Sequence, residues 1–98
     1  MEIVRHPELA ADIREVAEHY DRTSDTVISR FWLEVESVIA SVCKNPRLHH
    51  YDSSGLRRAS LRKFPYHLLF EVSDTHIYLV VFRHDRRHPD YGIDRTSQ

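Results

Sequence analysis

Residues 63–83 read KFPYHLLFEVSDTHIYLVVFR, and the fold turns on them. Tyr66, Leu68, Phe70 and Val72 alternate with His67, Leu69 and Glu71. That is the period of two a strand imposes by sending successive side chains to opposite faces. Ser73-Asp74-Thr75 is a turn signal, and His76 to Arg83 returns as a second strand rich in β-branched and aromatic residues. The pair predicts a hairpin at the centre of a sheet, with cover over both of its apolar faces. Pro65 has no N–H for a ladder and belongs at a strand boundary or bulge. Upstream, Ala59 and Leu61 alternate with Arg58, Ser60 and Arg62, which predicts another strand from Arg57. If it runs beside residues 76–83, two basic groups border one surface. Residues 47–56 form a polar loop bent at Gly55.

Before Pro46 the period becomes helical. Leu9, Ile13, Val16, Ala17 and Tyr20 make one stripe over residues 7–21, with Pro7 in the first turn. Ile28, Phe31, Val35, Val38, Ile39 and Val42 make a second stripe, with Trp32 at its margin. Ser24 or Thr23 caps that helix, which stops near Lys44 at Asn45-Pro46. Glu2 to Arg5 reads as a short edge strand, and residues 85–98 as an edge segment or tail. The expectation is one α+β domain over residues 1–98. A helical hairpin (about 7–45) packs on a small antiparallel β-sheet (about 57–84).

Composition excludes several classes. A chain of 98 residues suits a single core. Cys43 is the only cysteine, so an intrachain disulfide is excluded, and a reducing, cytoplasmic setting is expected. No apolar run approaches the roughly 18 residues of a membrane span, and no secretory signal pattern opens the chain. Hydrophobic residues at 41% and aromatics at 10% argue against disorder. The net charge of −1 hides a division. Residues 1–45 carry 5 basic and 9 acidic side chains, whereas residues 46–98 carry 9 basic and 6 acidic. An anion would be met by the second half.

Arg83-His84-Asp85-Arg86-Arg87-His88-Pro89-Asp90-Tyr91 is the strongest local feature. Arginine forks fit phosphate oxygens, histidine transfers protons near neutrality, and tyrosine stacks or orients a hydroxyl. The plainer reading is a solvated segment whose arginines pair with Asp85, Asp90 and Asp94. Arg57, Arg58, Arg62 and Lys63 form a second basic group. It reads either as a surface for an RNA backbone or as a charged face that blocks edge aggregation. Cys43, His49 and His50 lack any zinc spacing, so no metal and no cofactor is expected. Asp12, Glu15 and Glu18 share part of a helix face, which commonly means solvent.

These residues resemble a toxin of the RelE/ParE superfamily, from type II toxin–antitoxin modules. The resemblance rests on Ala11, Asp12, Phe31, Val35, Ile39 and Pro46, then Lys63-Phe64-Pro65-Tyr66, Leu68 and Phe70. It continues through Ile77, Leu79, Val81, His84-Asp85-Arg86-Arg87 and Pro89. The ParE and plasmid-stabilisation branch is the nearer one. The resemblance implies a growth-inhibiting toxin that binds an essential target such as DNA gyrase. It implies a cognate antitoxin seated in apolar grooves around the helices, at residues left unknown, and no membrane partner. The RelE alternative is a metal-independent, ribosome-dependent mRNA endoribonuclease. In that case Arg62, Lys63, His84, Arg86, Arg87 and Tyr91 would be catalytic. Arg57, Arg58, Arg83 and His88 would bind RNA or target. A non-toxic remnant of the fold is a third reading. Three features depart from the family pattern: few lysines, a near-neutral charge, and Gly92 where an anchoring tryptophan is common. The glycine implies a loosely held tail.

Overall fold

The computed structural model describes residues 1–96. Its elements are β1 (Glu2–Arg5), α1 (Leu9–Asp21), α2 (Asp25–Lys44), β2 (Arg57–Ser60), β3 (Tyr66–Val72) and β4 (His76–His84), with 3-10 turns at Pro46–Leu48 and Ile93–Thr96. One four-stranded sheet runs in the order β1-β4-β3-β2. The hairpin of β3 and β4 takes its centre, as the alternation predicts. Pairing between them shifts where Leu69 faces Val81 but Phe70 faces Leu79, which leaves Val80 as the extra residue.

Three expectations are corrected. The sheet is mixed, because β1 pairs parallel with β4 after the two helices carry the chain across. β2 does not run beside β4: β3 lies between them, so the two basic groups do not flank a shared strand pair. α1 begins at Leu9, two residues after Pro7, where a turn closed by the Leu9 N–H to His6 O bond leads in.

α2 starts where expected: the Ser24 hydroxyl accepts the Val27 N–H at 3.1 Å on extended backbone. It ends at Lys44, before Asn45 and Pro46. The two apolar stripes meet one sheet face. Leu9, Ile13, Ala17, Phe31, Val35 and Val42 bury against Ala59, Leu68, Phe70, Ile77, Leu79 and Phe82. At one end the core is aromatic, with Phe31 in edge contact with Phe64, Tyr66 and Phe82. The other face carries a smaller cluster, Leu56, Leu69, Val80 and Val81, flanked by Tyr78, Tyr91 and Ile93.

As far as Thr96 the segment after β4 is held down, not a loose tail; residues 97–98 of the expected tail lie outside the described residues. Arg95 is buried and holds Asp12 of α1 through two bonds of 2.7 and 3.2 Å. Asp12 is accordingly buried as well, not a solvated helix-face carboxylate. The same aspartate accepts the Phe82 N–H, and Arg95 donates to Val80 O. β1 ends opposite Leu79, so this ion pair serves the stretch of β4 edge that has lost its strand neighbour. Gly92 permits the approach. Its φ is +78°, and a Cβ there would lie 2.6 Å from Val81 Cγ2.

Candidate functional site

Basic residues occupy three separate places. On the sheet face away from the helices, alternation sends His67 and Arg83 to one side, and β3–β4 pairing sets them opposite each other. Both are buried. Arg83 Nε donates to His67 Nε2 at 3.0 Å, and His67 Nδ1 meets Asp85 Oδ1 at 2.8 Å. A nitrogen that accepts carries no proton, so the neutral ring is protonated on Nδ1 and donates to Asp85. Arg58 donates to the same Asp85 oxygen at 3.2 Å and lies 3.6 Å from Asp52. Asp52 closes the ring, 3.8 Å from Arg83. Two arginines and two aspartates thus balance around a neutral histidine. Arg83 also donates to the carbonyls of Pro89 and Tyr91, which ties down the segment after β4.

Burial holds His67 below the usual histidine range; the Asp85 hydrogen bond opposes this, and Arg58 and Arg83 reinforce it. A histidine with a depressed folded pKa contributes its full stability above its unfolded value. That contribution is lost as pH falls from there through the folded pKa. Protonation also turns Nε2 into a donor facing the Arg83 donor. The melting temperature should therefore fall between about pH 6.5, the unfolded value, and pH 5. In His67→Gln, where the side chain at this position no longer titrates, the decline should flatten. Equal slopes for the two proteins would contradict this account. Asp52 titrates lower. Burial pushes it up, but hydrogen bonds from Ser54, then Arg83, outweigh burial and leave it below its ordinary value.

The second place is the turn between β2 and β3. Arg62 and Lys63 are exposed there, and their backbone N–H groups donate to Glu34 of α2 at 2.6 and 3.2 Å. Lys63 borders a hollow with Val27, Arg30, Leu33, Glu34 and Phe64, and Arg62 borders another with Ser37, Val38 and Ser41. Arg57 is absorbed locally: it donates to the carbonyls of Arg47 and His49 and lies 4.3 Å over the Tyr51 ring.

The third place is a polar cleft of about 390 Å³ between α1 and the end of β4. His84, Arg87 and Tyr91 line it with Glu15 and His19 of α1 and Arg22 just past its end. The Arg87 guanidinium stacks 4.0 Å over Tyr91, and Arg95 lies 5.6 Å from that ring. Arg86 and His88 are exposed outside it. Of the six residues proposed as catalytic, His84, Arg87 and Tyr91 share this cleft, while Arg62, Lys63 and Arg86 do not. Of the four proposed to bind RNA or target, Arg83 is buried inside the ionic ring, Arg57 and Arg58 are largely engaged, and His88 is exposed with its Nδ1 accepting the Asp90 N–H at 3.1 Å. Sequence reasoning gave no sign of His67, Asp52, Glu34, His19 or Arg22, the one available signal being a histidine interrupting an apolar strand; Asp85 was expected to pair with an arginine and does, with Arg58.

An apolar groove of about 380 Å³ lies between the helices, lined by Leu9, Ala10, Ile13, Trp32, Val35 and Ile39 and rimmed by Arg5, Arg14 and Glu36. Trp32 is 41% exposed there, and Leu33 on the next position is 65% exposed. Among the described residues, no helix is long and apolar enough to cross a membrane.

No family model matches the chain, and no curated protein matches it. Among solved structures the fold is similar to a chain of the chromosomal ParDE TA system from P. aeruginosa. The TM-score is 0.61 at 17% sequence identity, over 86% of this chain and 95% of that chain. At that identity the likeness is one of fold.

Proposed function

We propose that the chain is the toxin of a type II toxin–antitoxin module, of the ParE-like kind. It acts in the cytoplasm as one domain by holding an essential protein such as DNA gyrase. The observation that carries this reading is the self-neutralised sheet face. A nuclease needs cationic forks and a proton-transfer group converging on one phosphate. Here Arg58 and Arg83 are engaged by Asp52, Asp85 and His67, Arg62 and Lys63 point their turn toward α2, and the set a nuclease would use is split: His84, Arg87 and Tyr91 share the cleft beside α1, while Arg62, Lys63 and Arg86 lie outside it. The fold shared with a ParDE chain supports the module, as does the exposed helical groove, which suits an apolar segment of a cognate antitoxin.

Induced expression of the chain alone should arrest growth and produce gyrase-dependent DNA breaks while ribosome-bound mRNA stays intact. Cleaved message with intact DNA would establish the ribonuclease reading instead. Unimpaired growth would mark the chain as a non-toxic remnant of the fold.

A further inference from the structure

We infer that the cleft between α1 and the end of β4 is a binding site for a phosphate group, on the helix side of the sheet and apart from the ionic ring. The inference goes beyond the toxin reading and does not depend on it.

The walls supply donors in excess of acceptors. Arg22 stands at the C-terminal end of α1, and Arg87 in the turn after β4. Both line the cleft, and among the described residues neither guanidinium is paired with a carboxylate or accepted by a carbonyl. The Arg87 guanidinium carbon lies 4.0 Å over the centre of the Tyr91 ring, a contact that restricts its freedom. His84 is oriented too. Its Nδ1 accepts the Arg86 N–H at 3.0 Å, so the neutral ring carries its proton on Nε2 as a donor. Tyr66, at 5.0 Å from the His84 ring, adds a phenol. Burial first, then Tyr20 and Glu15, raise that phenol above its ordinary pKa and keep it protonated.

Few acceptors oppose these groups. Asp12 lines the cleft, but both its oxygens are taken by Arg95 and the Phe82 N–H. That leaves Glu15. A helix C-terminus ordinarily repels anions through its free carbonyls. Here the carbonyls of Glu18, His19 and Tyr20 are satisfied by Arg22, Thr23 and Ser24. A carboxylate presents two coplanar oxygens and is saturated by one arginine fork, whereas donors from two walls call for the tetrahedral oxygens of phosphate.

Calorimetric titration of the purified chain with inorganic phosphate, and separately with a nucleoside 5′-monophosphate, tests this. Saturable one-site binding of at least one of them is expected. Arg22→Gln and Arg87→Gln should each weaken it at least tenfold, and Arg30→Gln, on α2 outside the cleft, should leave it unchanged. Circular dichroism checks that all three variants fold. Equal affinity for the two ligands identifies a site for the phosphoryl group itself; tighter mononucleotide binding identifies a nucleotide. No saturable binding of either, or binding indifferent to both cleft variants, overturns the inference. Neither outcome bears on whether induction of the chain arrests growth.

Discussion

Replacing Arg95 with methionine should destabilise the fold by about 3–5 kcal/mol, the range for removing one partner of a buried ion pair. The cause is the charge left behind. Asp12 is only 9% exposed, and without Arg95 its carboxylate keeps a single N–H donor, that of Phe82. The double variant Asp12→Leu/Arg95→Met should recover much of the loss, since no buried charge remains. Recovery should stay incomplete, because the Phe82 N–H and Val80 O on the open edge of β4 lose their partners. A buried unsatisfied group costs about 1–3 kcal/mol. Urea unfolding of the three variants beside the parent measures the cycle. A single Arg95→Met variant within about 1 kcal/mol of the parent, well short of the range for a broken buried pair, would contradict the structural role assigned to the pair.

Gly92→Ala should be the second most damaging of these changes. The backbone at φ +78° disfavours any L side chain by about 1–2 kcal/mol. The new Cβ also meets Val81 at 2.6 Å, and Val81 is fully buried in the central strand, with nowhere to move. Overpacking of that kind typically adds about 1–3 kcal/mol. Relief comes only by lifting the Ile93–Thr96 turn, which would draw Arg95 away from Asp12. Gly55→Ala is the matched comparison: φ is +91° there, but a Cβ would meet nothing within 4 Å. It should show the conformational penalty alone. Thermal melts in which the two alanine variants fall together would remove the steric part of the argument.

Periodicity made the scaffold legible. The alternation over Tyr66–Val72 and His76–Arg83 and the two helical stripes rest on spacing alone, and spacing is local. What was not legible depends on partners distant in the chain. Asp12 and Arg95 stand 83 positions apart, and nothing near either announces the other. Counting charge by halves treated every arginine after Pro46 as available to an anion. Yet Arg58 and Arg83 are neutralised by Asp52 and Asp85 within the same half, an arrangement that appears only once β3 and β4 are in register. The parallel placement of β1 was hidden for the same reason: four residues of edge strand do not say which neighbour they join. Gly92 was misread because its value lies in the close approach to Val81, not in the side chain it lacks.

The balanced ionic ring and the exposed helical groove together favour a protein that grips another protein over one that cuts RNA. The most direct measurement is a supercoiling reaction with purified DNA gyrase, plasmid and the purified chain. The account predicts that the chain binds gyrase and that linear, enzyme-linked DNA accumulates with its concentration. Undisturbed supercoiling, together with cleavage of mRNA on added ribosomes, would contradict it.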